Sequence, residues 1–190
     1  EGYDPDIYYS TEISDSEING EPFTFIHVGK FEARKGTLQA IECFFQALER
    51  ENARLLMHVH NPFLQDYALI HELVTRLGFT SANAGQTWRR AGLSIHFTQP
   101  FDSFQQLRDF LYKKADCGLY PSRAEGWGLP IIETLASGVP CIVGAWTGQT
   151  AYLGLDGSDY HKDFLLTNPM RKKAADNMWF QGDRGMWSVP

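Results

Sequence analysis

The stretch that decides the fold is residues 116–144, which read DCGLYPSRAEGWGLPIIETLASGVPCIVG. Its two ends are short apolar runs of the kind that form buried strands. Between them, Pro130 stands where a first-turn proline belongs, and the helix that it opens is predicted to end at Gly138, ahead of Pro140. A helix between two strands acts as a crossover connection, so the stretch predicts a parallel strand pair.

The same alternation of strand and helix signals continues on both sides of this stretch. The predicted strands cover residues 23–28, 55–60, 93–98, 116–120 and 141–144, with a further one near 164–166. The predicted helices cover residues 36–50, 62–77, a segment capped by Ser103 with Gln106, and 130–137, whereas residues 79–92 show no clear period. We therefore expect one α/β domain, a Rossmann-like, doubly wound parallel sheet with helices on both faces.

Charge divides the chain unevenly. Residues 1–22 contain seven acids and no Lys or Arg, whereas the remaining residues contain 16 acids and 17 bases. The acidic segment is predicted to be a solvated interdomain linker, residues 23–154 the Rossmann-like domain, and residues 155–190 an irregular extension. The nearly neutral domain can accept an anionic ligand, and its scattered bases argue against a nucleic-acid partner.

Composition excludes further classes of protein. No apolar stretch approaches the roughly 18 residues of a transmembrane helix, and no signal peptide is visible. The three cysteines form neither an even framework nor a Cys-x-x-Cys pair, which favours a reducing, cytoplasmic location. His58 and His60 share a strand face, but no third ligand follows at a useful spacing, so no metal site is expected.

Two loops carry the candidate chemistry, because ligands of such sheets bind at the carboxyl ends of the strands. Residues 29–36 (GKFEARKG) and 121–130 (PSRAEGWGLP) each follow a strand and lead into a helix. Two helix N-termini on one edge, together with Lys30 and Lys35, predict a diphosphate site. Each lysine alone also fits an ordinary solvated charge, and neither loop has a Walker or dinucleotide-binding fingerprint.

Two acids accompany the second loop. Glu125 and Glu133 are eight residues apart, and both can face the cleft. Beside a diphosphate, two carboxylates are tolerated when they accept hydrogen bonds from neutral donors such as sugar hydroxyls. Taken singly, Glu133 also fits a partner of the helix dipole and Glu125 an exposed loop acid. Together with the glycine-rich residues 126–128, they favour binding of a carbohydrate.

At this point the sequence resembles a known family. Residues 116–140 resemble the Glu-x7-Glu signature of retaining B-type glycosyltransferases of family 4, or glycosyl transferases group 1, and residues 28–36 resemble the phosphate-binding turn of that family. The resemblance covers about residues 23–153. It implies the carboxyl-terminal, donor-binding half of a two-domain enzyme, with the final helix beyond residue 190.

The resemblance also implies a role for each matching residue. Lys30 and Lys35 would contact the donor diphosphate, Glu125 the transferred sugar as the catalytic carboxylate, and Glu133 the ribose hydroxyls. The remaining donor-binding positions are in the backbone of the two loops: Gly29, Gly126, Trp127, Gly128 and Leu129. No metal and no cofactor is expected, because the substrate itself is a nucleoside-diphosphate sugar.

The implied activity is retaining, metal-independent transfer of a sugar in the cytoplasm, with the acceptor held by the absent amino-terminal domain. The isolated piece is expected to transfer nothing. Three departures from the family pattern are Lys30 for Arg, Trp127 for Phe, and residues 147–152, which lack the acid of a Gly-Gly-x-x-Glu stretch. Two other functions stay open, a non-catalytic Rossmann-like module that binds a nucleotide or a partner, and half of a B-type epimerase or phosphorylase.

Overall fold

The computed structural model describes residues 2–10, 21–62 and 67–153, and the backbone of three later strands. The strands are β1 (Phe23–Val28), β2 (Ala53–His58), β3 (Thr80–Ala82), β4 (Thr87–Arg90), β5 (Leu93–Phe97), β6 (Cys117–Tyr120), β7 (Cys141–Gly144), β8 (Phe164–Thr167), β9 (Arg171–Ala174) and β10 (Met186–Val189). The α-helices are α1 (Thr37–Leu48), α2 (Ala68–Arg76), α3 (Phe104–Phe110) and α4 (Leu129–Ala136).

Eight of the described strands form one sheet in the order β3-β4-β5-β2-β1-β6-β7-β8. All neighbours from β5 to β8 are parallel, whereas β3 and β4 are antiparallel additions at one edge. From β1 the chain moves outward to β2 and β5, and it then returns to β6 on the other side of β1. The predicted α/β fold is confirmed, and its strand order reverses between β1 and β6.

Apolar side chains cover both faces of the sheet. In β2, Leu55 and Met57 belong to the core cluster beneath α1 and α2, while Leu56 belongs to the cluster beneath α3 and α4. Successive side chains of a strand point to opposite faces, so a central parallel strand buries side chains on both faces of the sheet. Helices therefore pack against both faces, as the doubly wound arrangement requires.

The α3 start agrees with the predicted cap. The Ser103 hydroxyl accepts a hydrogen bond from the backbone amide of Gln106 at 3.2 Å. The Gln106 side chain in turn accepts from the backbone amide of Asp102 at 3.0 Å. These two bonds satisfy donors that the first helical turn leaves unpaired.

Residues 79–92 were expected to be irregular because they show no clear period, but most of them form regular secondary structure. They contain β3 and β4, which pair with each other and with β5 in antiparallel register. Both strands are short and largely polar, and Trp88 is the large apolar side chain that anchors them in the core. Such edge strands take their pairing from the neighbouring strand, and their own hydrophobic pattern is weak.

At both ends of the chain, the structure contains more ordered contacts than the composition predicts. Tyr8, in the segment expected to be solvated, is only 3% exposed and belongs to the second core cluster. In the segment expected to be irregular, the strand expected near 164–166 is present as β8 and continues the main sheet, while β9 and β10, which were not expected, pair in a separate two-stranded sheet. Residues 11–20 and 63–66, which include the first turn of the helix predicted from Pro62, lie outside the described residues. Within the described ranges, no helix has the length and apolarity needed to cross a membrane.

His27 is a buried polar group at the centre of the sheet. It is 1% exposed, and its Nδ1 lies 2.8 Å from the Leu119 carbonyl oxygen, which can only accept. Nδ1 therefore carries the proton, and Nε2 accepts from the Thr37 hydroxyl at 3.3 Å, at the start of α1. Burial, with a smaller contribution from the Lys35 charge, lowers the pKa of His27 to about 4, while the Leu119 hydrogen bond opposes this shift.

This burial makes stability depend on pH. The pKa of His27 is about 4 in the folded chain, whereas an exposed histidine of the unfolded chain has a pKa of 6.5. Burial of the neutral ring is therefore fully compatible with the fold above pH 6.5. Stability is lost as the pH falls from 6.5 towards 4, and the loss amounts to about 2 kcal/mol between pH 7 and pH 5. His58, whose pKa burial also lowers to about 4, acts in the same window. We expect His27→Gln, which keeps a donor and an acceptor, to show a shallower fall in urea midpoint between pH 7 and 5 than wild type. An unchanged slope would assign the acid sensitivity to other groups.

Candidate functional site

The two predicted loops are neighbours in space, since they follow β1 and β6, which pair directly. The backbone amide of Arg123 donates to the Arg34 carbonyl at 2.7 Å, which joins the loops. At Gly36, with φ +72°, a side chain would collide with the Pro121 carbonyl. Gly36 thus permits both the left-handed turn into α1 and the close approach of the second loop.

Glu125 lies at the junction of the loops in an ion-pair cluster. Both of its carboxylate oxygens are 2.8 Å from Lys35 Nζ, and one is 3.0 Å from Arg34 Nη1. The Glu125 side chain is 6% exposed and that of Lys35 12%, so the contact is largely shielded from water. A carboxylate buried this deeply requires paired charges, and the two bases supply them.

Arg34 does more than neutralise charge. The same Nη1 donates to the Ala124 carbonyl at 2.8 Å, and Nη2 lies 3.3 Å from a carboxylate oxygen of Glu32. The guanidinium group thereby fixes the backbone that leads into Glu125 as well as its side chain. Arg34 was not among the binding residues expected from the sequence, and its position beside Lys35 was the available signal.

A third loop, after β7, supports Glu125 from its backbone side. The Thr147 hydroxyl accepts from the Glu125 amide at 3.0 Å, and the Gly148 amide donates to the Glu125 carbonyl at 2.9 Å. Trp146 Nε1 donates to the Ser122 carbonyl at 2.9 Å. Thr147 has φ +62°, a conformation that a threonine adopts only when its surroundings impose it. This loop, noted in the sequence for its missing acid, thus positions the Glu125 loop.

The glycine-rich part of the second loop leads directly into α4. The Tyr152 hydroxyl donates to the Gly128 carbonyl at 3.1 Å, and the Tyr152 and Trp127 rings lie 5.4 Å apart. Gly126 and Leu129 are exposed at this rim. The first amides of α4 therefore start beside Glu125, and the positive end of the helix dipole lies at the same place.

The other predicted residues are positioned differently. Gly29 donates its amide to the His58 carbonyl at 2.9 Å, and Lys30 is exposed in the first loop. Glu133 accepts a hydrogen bond from the Tyr112 hydroxyl at 3.1 Å. Burial raises the pKa of Glu133, and its hydrogen bond from Tyr112 opposes the shift.

The structure therefore brings Lys35 and Glu125 into contact and places Lys30 in the same loop. Among the described residues, the Glu125 carboxylate contacts Lys35 and Arg34, whereas the Glu133 carboxylate contacts Tyr112. Four side chains were expected around one ligand, and they fall into two groups. The tyrosines beside Glu133 were missed because they come from distant segments of the chain.

A cavity of about 240 Å³ lies further along the same edge, at the carboxyl ends of β2 and β5. Its lining includes His60, Tyr67, His71, Gly85, Phe97 and Thr98. The volume is below the range of pockets that enclose a whole drug-sized ligand, so the cavity suits part of a larger molecule. Within the described residues, no cluster of three or more His, Cys, Asp or Glu side chains is arranged for a metal ion.

Comparison with known proteins gives one family. The sequence profile described as Glycosyl transferases group 1 matches residues 22–178. A search of curated protein sequences found no match.

Solved structures share the fold. The C-terminal domain of the glycosyl transferase group 1 family protein LpcC from Francisella tularensis is 23% identical, with a TM-score of 0.60 over 89% of this chain and 81% of that one. Anabaena HepE, solved with UDP and glucose, is 22% identical, with a TM-score of 0.61 over 88% of this chain and 42% of that one. Sucrose-phosphate synthase from Thermosynechococcus elongatus is 22% identical, with a TM-score of 0.59 over 90% of this chain and 39% of that one. The chain thus spans about two-fifths of the length of the latter two proteins.

The contact between the loops after β6 and β7 can be tested with two glycines. A side chain at Gly148 would collide with the carbonyl oxygens of Gly126 and Glu125, whereas one at Gly126 meets nothing within 4 Å. We expect Gly148→Ala to lower the free energy of unfolding by about 1–3 kcal/mol, and Gly126→Ala to change it by less than about 0.5 kcal/mol. Urea unfolding of both variants measures this difference, and equal stabilities would show that the loops are not packed as described.

Proposed function

The chain belongs to the glycosyl transferases group 1 family, and from this membership we propose that it forms the part of a glycosyltransferase that binds a nucleoside-diphosphate sugar. The observation that carries the proposal is the buried cluster of Glu125 with Lys35 and Arg34. It lies at the junction of two loops that follow adjacent parallel strands, at the point where the strand order reverses. Sheets of this kind bind ligands in the crevice at that point.

The diphosphate is proposed to lie against the first loop. A lysine ammonium has three donors, and two of the close contacts of Lys35 are to the Glu125 carboxylate. The third donor can therefore reach a phosphate oxygen while the ion pair persists. Lys30, exposed in the same loop, adds a second positive charge, and the N-terminus of α4 adds amide donors. These groups would stabilise the negative charge that develops on the departing nucleoside diphosphate.

The sugar is proposed to lie against Glu125. When a phosphate group contacts Lys35, the positive charge of Lys35 is shared between the phosphate and the Glu125 carboxylate. Sugar hydroxyls can then stabilise the carboxylate by donating hydrogen bonds to it. Arg34 and the Thr147 and Gly148 contacts would keep the carboxylate in place during this exchange. The cavity beyond β2 and β5 offers space on the same edge for the base of the nucleotide. HepE, which has this fold, was solved with UDP and glucose, and that likeness supports the same class of ligand.

Three finer statements are part of the proposal. Transfer with retention of the anomeric configuration and without a metal follows the family resemblance of the Glu-x7-Glu spacing. A cytoplasmic location agrees with Cys43, Cys117 and Cys141 as free thiols. The acceptor would be held by a second domain, as expected from the two-domain family.

Donor binding can be measured on this chain by thermal shift with uridine, guanosine and adenosine diphosphates and their sugars. A ligand at about 100 times its dissociation constant adds about 2.7 kcal/mol, which raises the melting temperature of a chain of this size by roughly 5–10 °C. We expect one nucleotide to give such a shift and Lys35→Ala to weaken its binding about 10- to 100-fold, because a charge-assisted hydrogen bond is lost. The matched control is Lys113→Ala, which removes an exposed lysine paired with Asp109. If no nucleotide stabilises the chain, or both variants bind equally, the proposed site is wrong.

A second experiment separates an enzyme from a module that only binds. Glu125→Gln in the full-length protein keeps the size of the side chain but removes the charge that Lys35 and Arg34 hold in place. We expect sugar transfer to fall by at least 100-fold while nucleotide binding persists, as measured by product formation and by calorimetry. Unchanged transfer would exclude the catalytic role of Glu125, and binding without any transfer by wild type would favour the non-catalytic module.

A further inference from the structure

The amino-terminal segment 2–10 packs against the face of the domain that carries α3 and α4. Tyr8 is 3% exposed, and its ring contacts that of Tyr112 edge-on, with centroids 5.6 Å apart. The next residue is held as well, because the Arg108 guanidinium lies 3.9 Å from the centre of the Tyr9 ring and donates to the Tyr9 carbonyl at 3.2 Å. Arg108 is itself 1% exposed, so this attachment is part of the interior. The segment is therefore fixed to the domain at two successive residues.

Both buried tyrosines face the Glu133 carboxylate. Tyr112 is 1% exposed, and its hydroxyl donates to Glu133 Oε2 at 3.1 Å. The Tyr8 hydroxyl is buried and has no partner within 3.5 Å among the described residues. Burial and then the charge of the Glu133 carboxylate raise the pKa of Tyr8. A buried hydroxyl without a partner is costly, and Glu133 is the acceptor at hand.

Within the described part of the chain, no base contributes to the pKa shift of Glu133, whereas Glu125 pairs with Lys35 and Arg34. The titratable groups that face it are Tyr8 from the amino-terminal segment, Tyr112 from the turn after α3, and Tyr120 from β6. Burial raises the pKa of Glu133, and the hydrogen bond from the Tyr112 hydroxyl opposes this shift. The Tyr112 hydroxyl therefore holds the Glu133 carboxylate in place, as Lys35 and Arg34 hold that of Glu125.

We propose that Tyr112, with the Tyr8 ring packed against it, is a positioning residue for Glu133 and aims its carboxylate so that it accepts hydrogen bonds from the hydroxyls of a bound nucleotide. This inference rests on the proposed function, because it requires a nucleotide in the cleft. It goes further in making the segment before the sheet a contributor to donor binding. Movement of residues 2–10 would then alter nucleotide affinity through one carboxylate.

The test compares Tyr112→Phe and Tyr8→Phe with wild type. Dissociation constants are measured by calorimetry between pH 5.5 and 8, for the nucleoside diphosphate that stabilises the wild-type chain and for inorganic pyrophosphate. We expect Tyr112→Phe, which loses one hydrogen bond, to bind the nucleoside diphosphate about 3- to 10-fold more weakly and Tyr8→Phe to have a smaller effect in the same direction. Both variants should bind pyrophosphate as wild type does. The acid limb of the nucleotide profile should move to higher pH, because loss of a bond that lowers the pKa of Glu133 lets it take up a proton earlier.

Two further variants define the outcome. Tyr9→Phe removes an exposed hydroxyl next to Tyr8 and keeps the ring that Arg108 contacts, so it should leave the ratio of the two affinities unchanged. Glu133→Gln should reproduce the weakened nucleotide binding and abolish the acid limb. If Tyr112→Phe and Tyr8→Phe leave the ratio and the pH profile as in wild type, or if Tyr9→Phe changes them equally, the positioning role is refuted. If wild type binds pyrophosphate but no nucleoside diphosphate, it is the proposed function that fails.

Discussion

The parallel pairing of β1 with β6 is the constraint on which the rest of the structure depends. Phe25 lies opposite Cys117 and Ile26 opposite Gly118, so two segments about ninety residues apart end side by side. Because the chain runs outward from β1 in one direction and from β6 in the other, the loops that follow diverge and leave a crevice between them. The contact of Lys35 with Glu125 exists only in this register. Slippage by one residue would turn the apolar side chains of β6 to the wrong faces as well.

Electrostatics at this crevice divides the two acids by environment. Glu125 forms ion pairs with two bases, whereas Glu133 accepts a hydrogen bond from the Tyr112 hydroxyl in a site where burial raises its pKa. An ion pair adjusts to the arrival of an anion, since a phosphate group competes for the same lysine. The Tyr112 hydroxyl is neutral and does not attract an anion, so its hydrogen bond to Glu133 persists whether or not an anion is present. The two acids are thus suited to different parts of one ligand.

The sequence predicts the elements that its own pattern determines. The bounds of β1 and β7 match their predictions, because buried parallel strands are continuous apolar runs that end at glycine or proline signals. The polar strands β3 and β4 were missed, since their pairing with β5 supplies what their composition does not show.

The site follows the same division between local and distant information. Loops 29–36 and 121–130 were located from strand ends and glycines alone, which local rules can do. The direct contact of Lys35 with Glu125, the support from Thr147, and the approach of Tyr8 to Glu133 depend on tertiary register. Residue types indicate the chemistry of a site, but the neighbouring sequence contains no signal for a partner that comes from a distant segment.

The short helix α4 explains why these distant partners matter. A helix of eight residues is marginal by itself, so packing must decide where it lies. The Tyr120 hydroxyl donates to Thr134 Oγ1 at 2.6 Å, and that hydroxyl donates in turn to the Pro130 carbonyl at 2.6 Å. At the start of the helix, Tyr152 holds the Gly128 carbonyl. Two other segments of the chain, β6 and the loop after β7, therefore hold α4 and the Glu133 that lies about one turn after its amide-rich start. A ligand that spans both meets a spacing set by the fold as a whole.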